Sequence, residues 1–209
     1  MRFFVIVYKF TLITNSMVID EILKFKNINK LKEVYRFATV GQVEGSIKRK
    51  ENAAEHSWSA MMVANYFFTN YDFSYLNKEK IYELLLFHDL VEIESGDVVI
   101  SPENETTDFD HRERSCAKIL KEKLPNKFGN NFYNLFSEFQ DQSTIEARFA
   151  RAIEQLDAEI HELDYKEDYK GWTEEFLRKA KQKYFDEFPP LKEVFEEIVT
   201  YLRENKYFH

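Results

Sequence analysis

The sequence predicts an all-α protein, a single helical bundle, and three observations carry that prediction. Glycine and proline number only five and four in 209 residues, about a third of the roughly 12 % that average usage supplies. Hairpins, sandwiches and phosphate-cradling loops draw on glycine for positive φ, so the shortage argues against all-β folds, P-loops and dinucleotide-binding units. Hydrophobic residues make up 44 % and aromatics 16 %, enough for a core although 32 % of the chain is charged. Apolar residues also recur at spacings of three and four along most of the chain. The length suits one compact domain.

Residues 1–16, MRFFVIVYKFTLITNS, read as an N-terminal extension. Lys9 interrupts the apolar run, which is too short to span a bilayer, and no small-residue cleavage site follows. Met17 is a candidate start, and one domain is expected over residues 17–209. From 17 to 40, Val18, Ile22, Leu23, Phe25, Ile28, Leu31, Val34 and Tyr35 are spaced for one or two short helices. Gly41 and Gly45 break that pattern, and Lys48-Arg49-Lys50 reads as a loop feeding a helix from Asn52 or Ala53. In that helix His56, Ala60, Val63, Ala64 and Phe67 share one face, which points His56 inward.

Residues 79–94 repeat the pattern with Ile81, Leu84, Leu85 and His88, and Gly96 and Pro102 stop it. A third run, 110–124, ends before Pro125, with Asp108 and Asp110 as caps or first-turn acids. The aromatic stretch from Phe128 to Phe139 reads as core or dimer surface. A fourth run, from Thr144 to Tyr165, sets Ala150, Ile153, Asp157 and Ile160 on one face. A last helical pair runs from Thr173 to Tyr201, broken at Pro189-Pro190.

The net charge of −8 argues against a nucleic-acid partner, whose phosphates would be repelled over most of the surface. The lone cysteine, Cys116, fits a reducing cytoplasm and excludes a disulfide scaffold or a cysteine-based zinc ribbon. Any metal site must therefore use His, Asp and Glu. The helix pattern puts His56, His88 and Asp157 on apolar faces, with Asp89 beside His88. A buried carboxylate is expensive unless paired or metal-bound. A lone inward histidine is more often a hydrogen-bonded core residue, so the weight lies on the combination. Two histidines and two carboxylates from separate helices suit a divalent cation such as Mn, Fe, Co or Zn, with coordination positions left for water and substrate.

Three segments then resemble the motifs of the HD-domain metal-dependent phosphohydrolases, and within them the 5'-deoxynucleotidase branch. They are Arg49-Lys50-Glu51-Asn52-Ala53-Ala54-Glu55-His56-Ser57, the run from His88-Asp89 through Glu92 to Gly96-Asp97, and Leu156-Asp157-Ala158. The resemblance covers about residues 30–165 and implies an HD-domain bundle with a metal site at its centre. It implies that His56, His88, Asp89 and Asp157 hold one divalent cation, Mn or Co favoured over Zn, Mg, Fe or Ni. Glu92 and Asp97 would line the substrate pocket, with Asp97 positioning or activating the attacking water and Gly96 turning the backbone to aim it. Arg36, followed by Phe37 where the bacterial enzymes have tryptophan, would bind the substrate phosphate, and Arg49 would share its charge. His161, four residues after Asp157, reads first as a surface or core hydrogen-bonded histidine, with a place behind Asp157 as the alternative. His111 is the one histidine between His88-Asp89 and Asp157, where two-metal relatives carry extra histidines, so a single metal is favoured.

The implied activity is hydrolysis of (deoxy)ribonucleoside 5'-monophosphates to nucleoside and phosphate, by a cytoplasmic homodimer with no nucleic-acid or membrane partner. The alternatives are hydrolysis of phosphodiesters or of nucleoside triphosphates, and non-catalytic nucleotide binding by a helical protein.

Overall fold

The computed structural model describes residues 15–98 and 109–208; most of the N-terminal extension, Pro102 and Asp108 lie outside them. Helix α1, Asn15–Phe25, runs into a 3-10 segment, Lys26–Glu33. Helices α2 (Ala53–Asn70), α3 (Lys78–Phe87), α4 (Glu92–Ser95), α5 (Phe109–Lys123), α6 (Asn126–Asp141), α7 (Ile145–Glu162), α8 (Glu174–Lys181) and α9 (Pro189–Glu204) follow.

Several helices begin where the sequence supplies acceptors for unpaired amides. The Asn52 side chain accepts from the amides of Ala54 and Glu55, while a Glu55 carboxylate oxygen accepts from the Asn52 amide. That reciprocal cap fixes the start of α2 one turn before His56. Asn77, Thr144 and Thr173 cap α3, α7 and α8 in the simpler way. The proline pair starts α9, where a missing amide hydrogen costs nothing.

The structure departs from the expected helices in two places. Residues 35–40, expected as helix, form strand β1, Tyr35–Val40, and β2, Arg49–Asn52, replaces the expected loop. The strands pair antiparallel, with Thr39 opposite Lys50 and Val40 opposite Arg49. Tyr, Phe, Thr and Val suit an extended, half-buried chain, and alternation turns Arg36 and Ala38 inward while Tyr35 and Phe37 stay exposed. The expected helix 79–94 also breaks: α3 stops at Phe87, residues 88–91 form turns with the Leu90 amide bonded to the Phe87 carbonyl at 3.1 Å, and α4 restarts at Glu92.

Helix α7 is the hub, packed against α2, α3, α6 and α9. Fully buried Ala147, Ala150 and Ala152 on α7 and Ala60 and Ala64 on α2 let these backbones approach closely. Aromatic rings fill the remaining space: Phe149 meets Phe73 at 4.9 Å and Phe188 at 5.1 Å between ring centres. Phe132, Phe136 and Phe139 of α6 are buried as well, so the aromatic stretch there is core. Ile160, expected on the inward face of α7, is 37 % exposed. Among the described residues, no helix is long and apolar enough to cross a membrane.

Candidate metal centre and substrate cavity

His56 on α2 and His88 at the end of α3 bring their rings to 5.3 Å of each other. Both are almost fully buried. The Nδ1 of His88 bonds the Leu85 carbonyl at 2.7 Å, which aims Nε2 into the bundle. The break after Phe87 then sets Asp89 beside His88, with Asp89 Oδ1 3.1 Å from His88 Nε2 and Asp89 Oδ2 3.8 Å from His56 Nε2. His56, His88 and Asp89 form a group that could hold a metal ion. Among the described residues, the Nε2 atoms of both histidines are buried without a hydrogen-bond partner. Buried polar atoms are rarely left so, and two imidazole nitrogens converging on a carboxylate are a donor set that suits a divalent cation.

Burial opposes ionisation of Asp89, but His88, His56 and Arg36 outweigh it and hold its carboxyl far below the usual range. His88 shifts upward against its burial, chiefly through Asp89.

Asp157, expected as the fourth ligand, lies on the far side of the His56 ring. Its Oδ2 is 2.8 Å from His56 Nδ1, and its Oδ1 accepts from the Ser59 hydroxyl at 2.5 Å. The residue that faces His56 Nε2 from α7 is Glu154, whose Oε1 is 3.9 Å away. Burial opposes ionisation of Glu154 as well, yet Arg151, His56 and His88 keep its carboxyl below the ordinary value. The sequence carried a signal for it: Glu154 is four residues after Ala150, on the inward face of α7.

A cavity of about 540 Å³ opens beside this centre, a volume that takes a small organic ligand. At the metal end it is lined by His56, Asp89, Arg36, Phe37, Glu92 and Asp97. Strand β1 delivers Arg36, whose Nη1 donates to Asp89 Oδ2 at 3.2 Å and whose Nε lies 3.4 Å from Glu51. Burial opposes its charge, but Asp89, Asp97, Glu92 and Glu154 hold it more firmly protonated than usual. Burial raises Asp97, with Arg36 opposing. Burial, followed by the charges of Asp89 and Asp97, raises Glu92 further. Gly96 adopts φ +69°, a region that favours glycine, and this turn leads α4 into Asp97.

The other end of the cavity was not expected. It is lined by Glu159, Glu162, Tyr169, Trp172 and Lys181. Glu159 is buried and bonded by both Lys181 and the Tyr169 hydroxyl, whereas Glu162 Oε2 is a buried atom without a hydrogen-bond partner among the described residues.

Of the remaining expected residues, Arg49 does not line this cavity: its guanidinium is exposed and paired with Glu55 at 2.5 Å. There it extends the α2 cap. His161 lines the cavity wall and donates from Nε2 to the Thr39 carbonyl at 2.7 Å, pinning β1 to α7. His111 is exposed on α5.

Comparison with known proteins agrees with this arrangement. The family described as HD domain matches residues 28–192. The 5'-deoxynucleotidase HDDC2 of Danio rerio is 30% identical over 168 residues, 79% of this chain and 80% of that one. The 5'-deoxynucleotidase YfbR of Salmonella typhi is 25% identical over 155 residues, 73% of this chain and 75% of that one. A crystal structure described as a predicted metal-dependent phosphohydrolase from Magnetospirillum magnetotacticum superposes with a TM-score of 0.79 at 25% identity, covering 94% of this chain and 98% of that one. With the family matched over most of its length and the buried His56, His88 and Asp89 at its centre, the chain belongs to the HD domain family.

Proposed function

We propose that this protein is a metal-dependent phosphohydrolase that cleaves nucleoside 5'-monophosphates, deoxy forms among them, to nucleoside and phosphate. The observation that carries the reading is one cavity that joins the His56, His88 and Asp89 group to a buried guanidinium and two further carboxyls. The names of the relatives point to the same reaction. His56, His88 and Asp89 would hold a divalent cation, Mn or Co as the resemblance favours among the several that mixed His and carboxylate donors accept, and the cation would lower the pKa of a bound water and offset phosphoryl charge.

The protein's own groups do the rest. Arg36, fixed by Asp89, presents donors to the phosphoryl oxygens. Asp97, across the same end of the cavity, orients the attacking water or takes its proton. Glu92 and Phe37 line that end. Asp157 holds the His56 ring from behind, as carboxylates behind metal-binding histidines do. Arg49 has no part in the reaction, since Glu55 occupies it outside the cavity. The nucleoside extends toward Glu162 and Trp172.

Metal-stripped protein supplied singly with Mn, Co, Mg and Zn should release phosphate from dAMP or AMP with at least one of them. Release from dATP or a cyclic nucleotide alone would redirect the reading to another phosphoester class, and release from none would end it. Trp58, Met62 and Tyr66 form an exposed apolar stripe on α2, and a homodimer in a reducing cytoplasm completes the proposal; the mass in solution tests the dimer.

A further inference from the structure

We infer that the end of the cavity at Glu162 holds the substrate's base, and that Glu162 favours a base with an amino group beside a ring nitrogen, as adenine and cytosine have. The inference rests on the phosphohydrolase reading above and deepens it by naming what reads the nucleoside.

The cavity runs along α7. Gln155, Ala158, Glu159 and Glu162 line it from one face of that helix. Glu154 Oε1 stands 3.9 Å from His56 Nε2, and Glu162 follows eight residues later, about 12 Å farther along the axis. That distance is comparable to the length of an extended nucleoside 5'-monophosphate from phosphorus to the far edge of its base. The charges set the direction in which such a molecule lies. Arg36 takes the phosphoryl group at the metal end, whereas the other end carries Glu159, Glu162 and Asp168 and suits an uncharged group.

Other polar groups at that end are engaged. Glu159 accepts from Lys181 and from the Tyr169 hydroxyl, and Asp168 accepts from the amide and the hydroxyl of Thr39 at 3.0 and 3.3 Å. Glu162 Oε2 is buried and has no hydrogen-bond partner among the described residues, a state that buried polar atoms rarely keep and that a ligand in the cavity would relieve. Burial, with the charges of Asp168 and Glu159, pushes the Glu162 pKa up to about 8. Near neutral pH the carboxyl therefore keeps its proton and offers an O–H donor beside a carbonyl acceptor. An amino group beside a ring nitrogen is the matching pair: the amino group donates to the carbonyl oxygen, and the ring nitrogen accepts from the hydroxyl. Trp172 lines the same end, held edge-to-face by Tyr169 at 6.1 Å and by Phe176 at 4.9 Å between ring centres. It gives a flat ring an apolar wall to pack on.

Two substrates test the assignment: dAMP and the 5'-monophosphate of purine 2'-deoxyriboside, which is dAMP without its amino group. Phosphate release by the metal-loaded protein is the readout. The wild type should cleave dAMP with a kcat/KM about 3–10-fold higher, the worth of one hydrogen bond, and the difference should lie in KM. The preference is one of degree, so other bases remain substrates. Glu162→Met, of similar length and without the polar pair, should bring the two substrates level. Glu162→Gln, whose amide keeps a donor beside an acceptor, should retain the preference, which a purely structural role would not predict. If Glu162→Met fails to fold, as judged by thermal unfolding, Glu162→Ala takes its place. Equal kcat/KM for the two substrates in the wild type, a preference that survives Glu162→Met, or one that is lost in Glu162→Gln overturns the inference and leaves the phosphohydrolase reading standing. Release from no nucleoside 5'-monophosphate ends that reading and the inference with it.

Discussion

A carboxyl in this cavity does different work according to what touches it. Asp97 neighbours Arg36 and the metal end without belonging to the His56, His88 and Asp89 group. Asp97→Asn should therefore leave bound metal, measured by elemental analysis, at the wild-type level while lowering kcat by on the order of 10²–10⁴-fold, the span of general-base loss. Full activity in this variant would remove the role given to Asp97. Glu162, at the other end, is pushed up to about 8 by burial and by the charges of Asp168 and Glu159, against Lys181 and Lys50. A carboxyl with a raised folded pKa binds its proton more tightly folded than unfolded, so its contribution to stability falls as pH rises from the ordinary carboxylate range toward 8. Glu162→Gln lacks that loss. Its thermal midpoint should match the wild type near pH 5 and exceed it by a few degrees near pH 8; a constant offset across this range would contradict the raised pKa.

The helices α5 and α6 meet at Gly129, where an added Cβ would lie 2.3 Å from the Lys121 carbonyl oxygen. Alanine gains about 1 kcal/mol of helix propensity over glycine, but forced separation of two packed backbones costs about 1–3 kcal/mol. The clash involves backbone rather than a movable side-chain tip, so Gly129→Ala should destabilise, and a raised midpoint in urea unfolding would show that α5 yields instead. Contacts of this kind explain what the sequence made legible. Caps, proline positions and the faces that bury His56 and His88 are local, and they appear as spacings. Strand β1 is not local: Tyr35 continues the apolar spacing of the preceding helix, and only pairing with Arg49–Asn52, beyond two glycines, makes residues 35–40 extended. The break after Phe87 has no glycine or proline to mark it. Glu154 was legible only in part: its place four residues after Ala150 puts it on the inward face of α7, but that helix also carries Glu146, Glu159 and Glu162, so acidity alone did not single it out.

At the scale of the whole molecule, the proposed metal centre gathers side chains from α2, from the end of α3 with the turn after it, and from α7, the helix against which the other two pack. Two buried imidazole nitrogens face a carboxylate there. The unfolded chain has no such group, because His56 and His88 are far apart in sequence. Metal binding should therefore act as a global clamp rather than a local one. At a free metal concentration about 100 times the dissociation constant, linkage supplies about 2.7 kcal/mol, which for a chain of this size raises the thermal midpoint by about 5–10 °C. Calorimetry with and without chelator measures that rise, and the transition should stay single, because the clamp joins the helices of one core. A midpoint indifferent to metal would mean that the ion binds folded and unfolded chains alike, as at an adventitious surface site. A second transition appearing on chelation would mean that α2 or α3 leaves the bundle on its own.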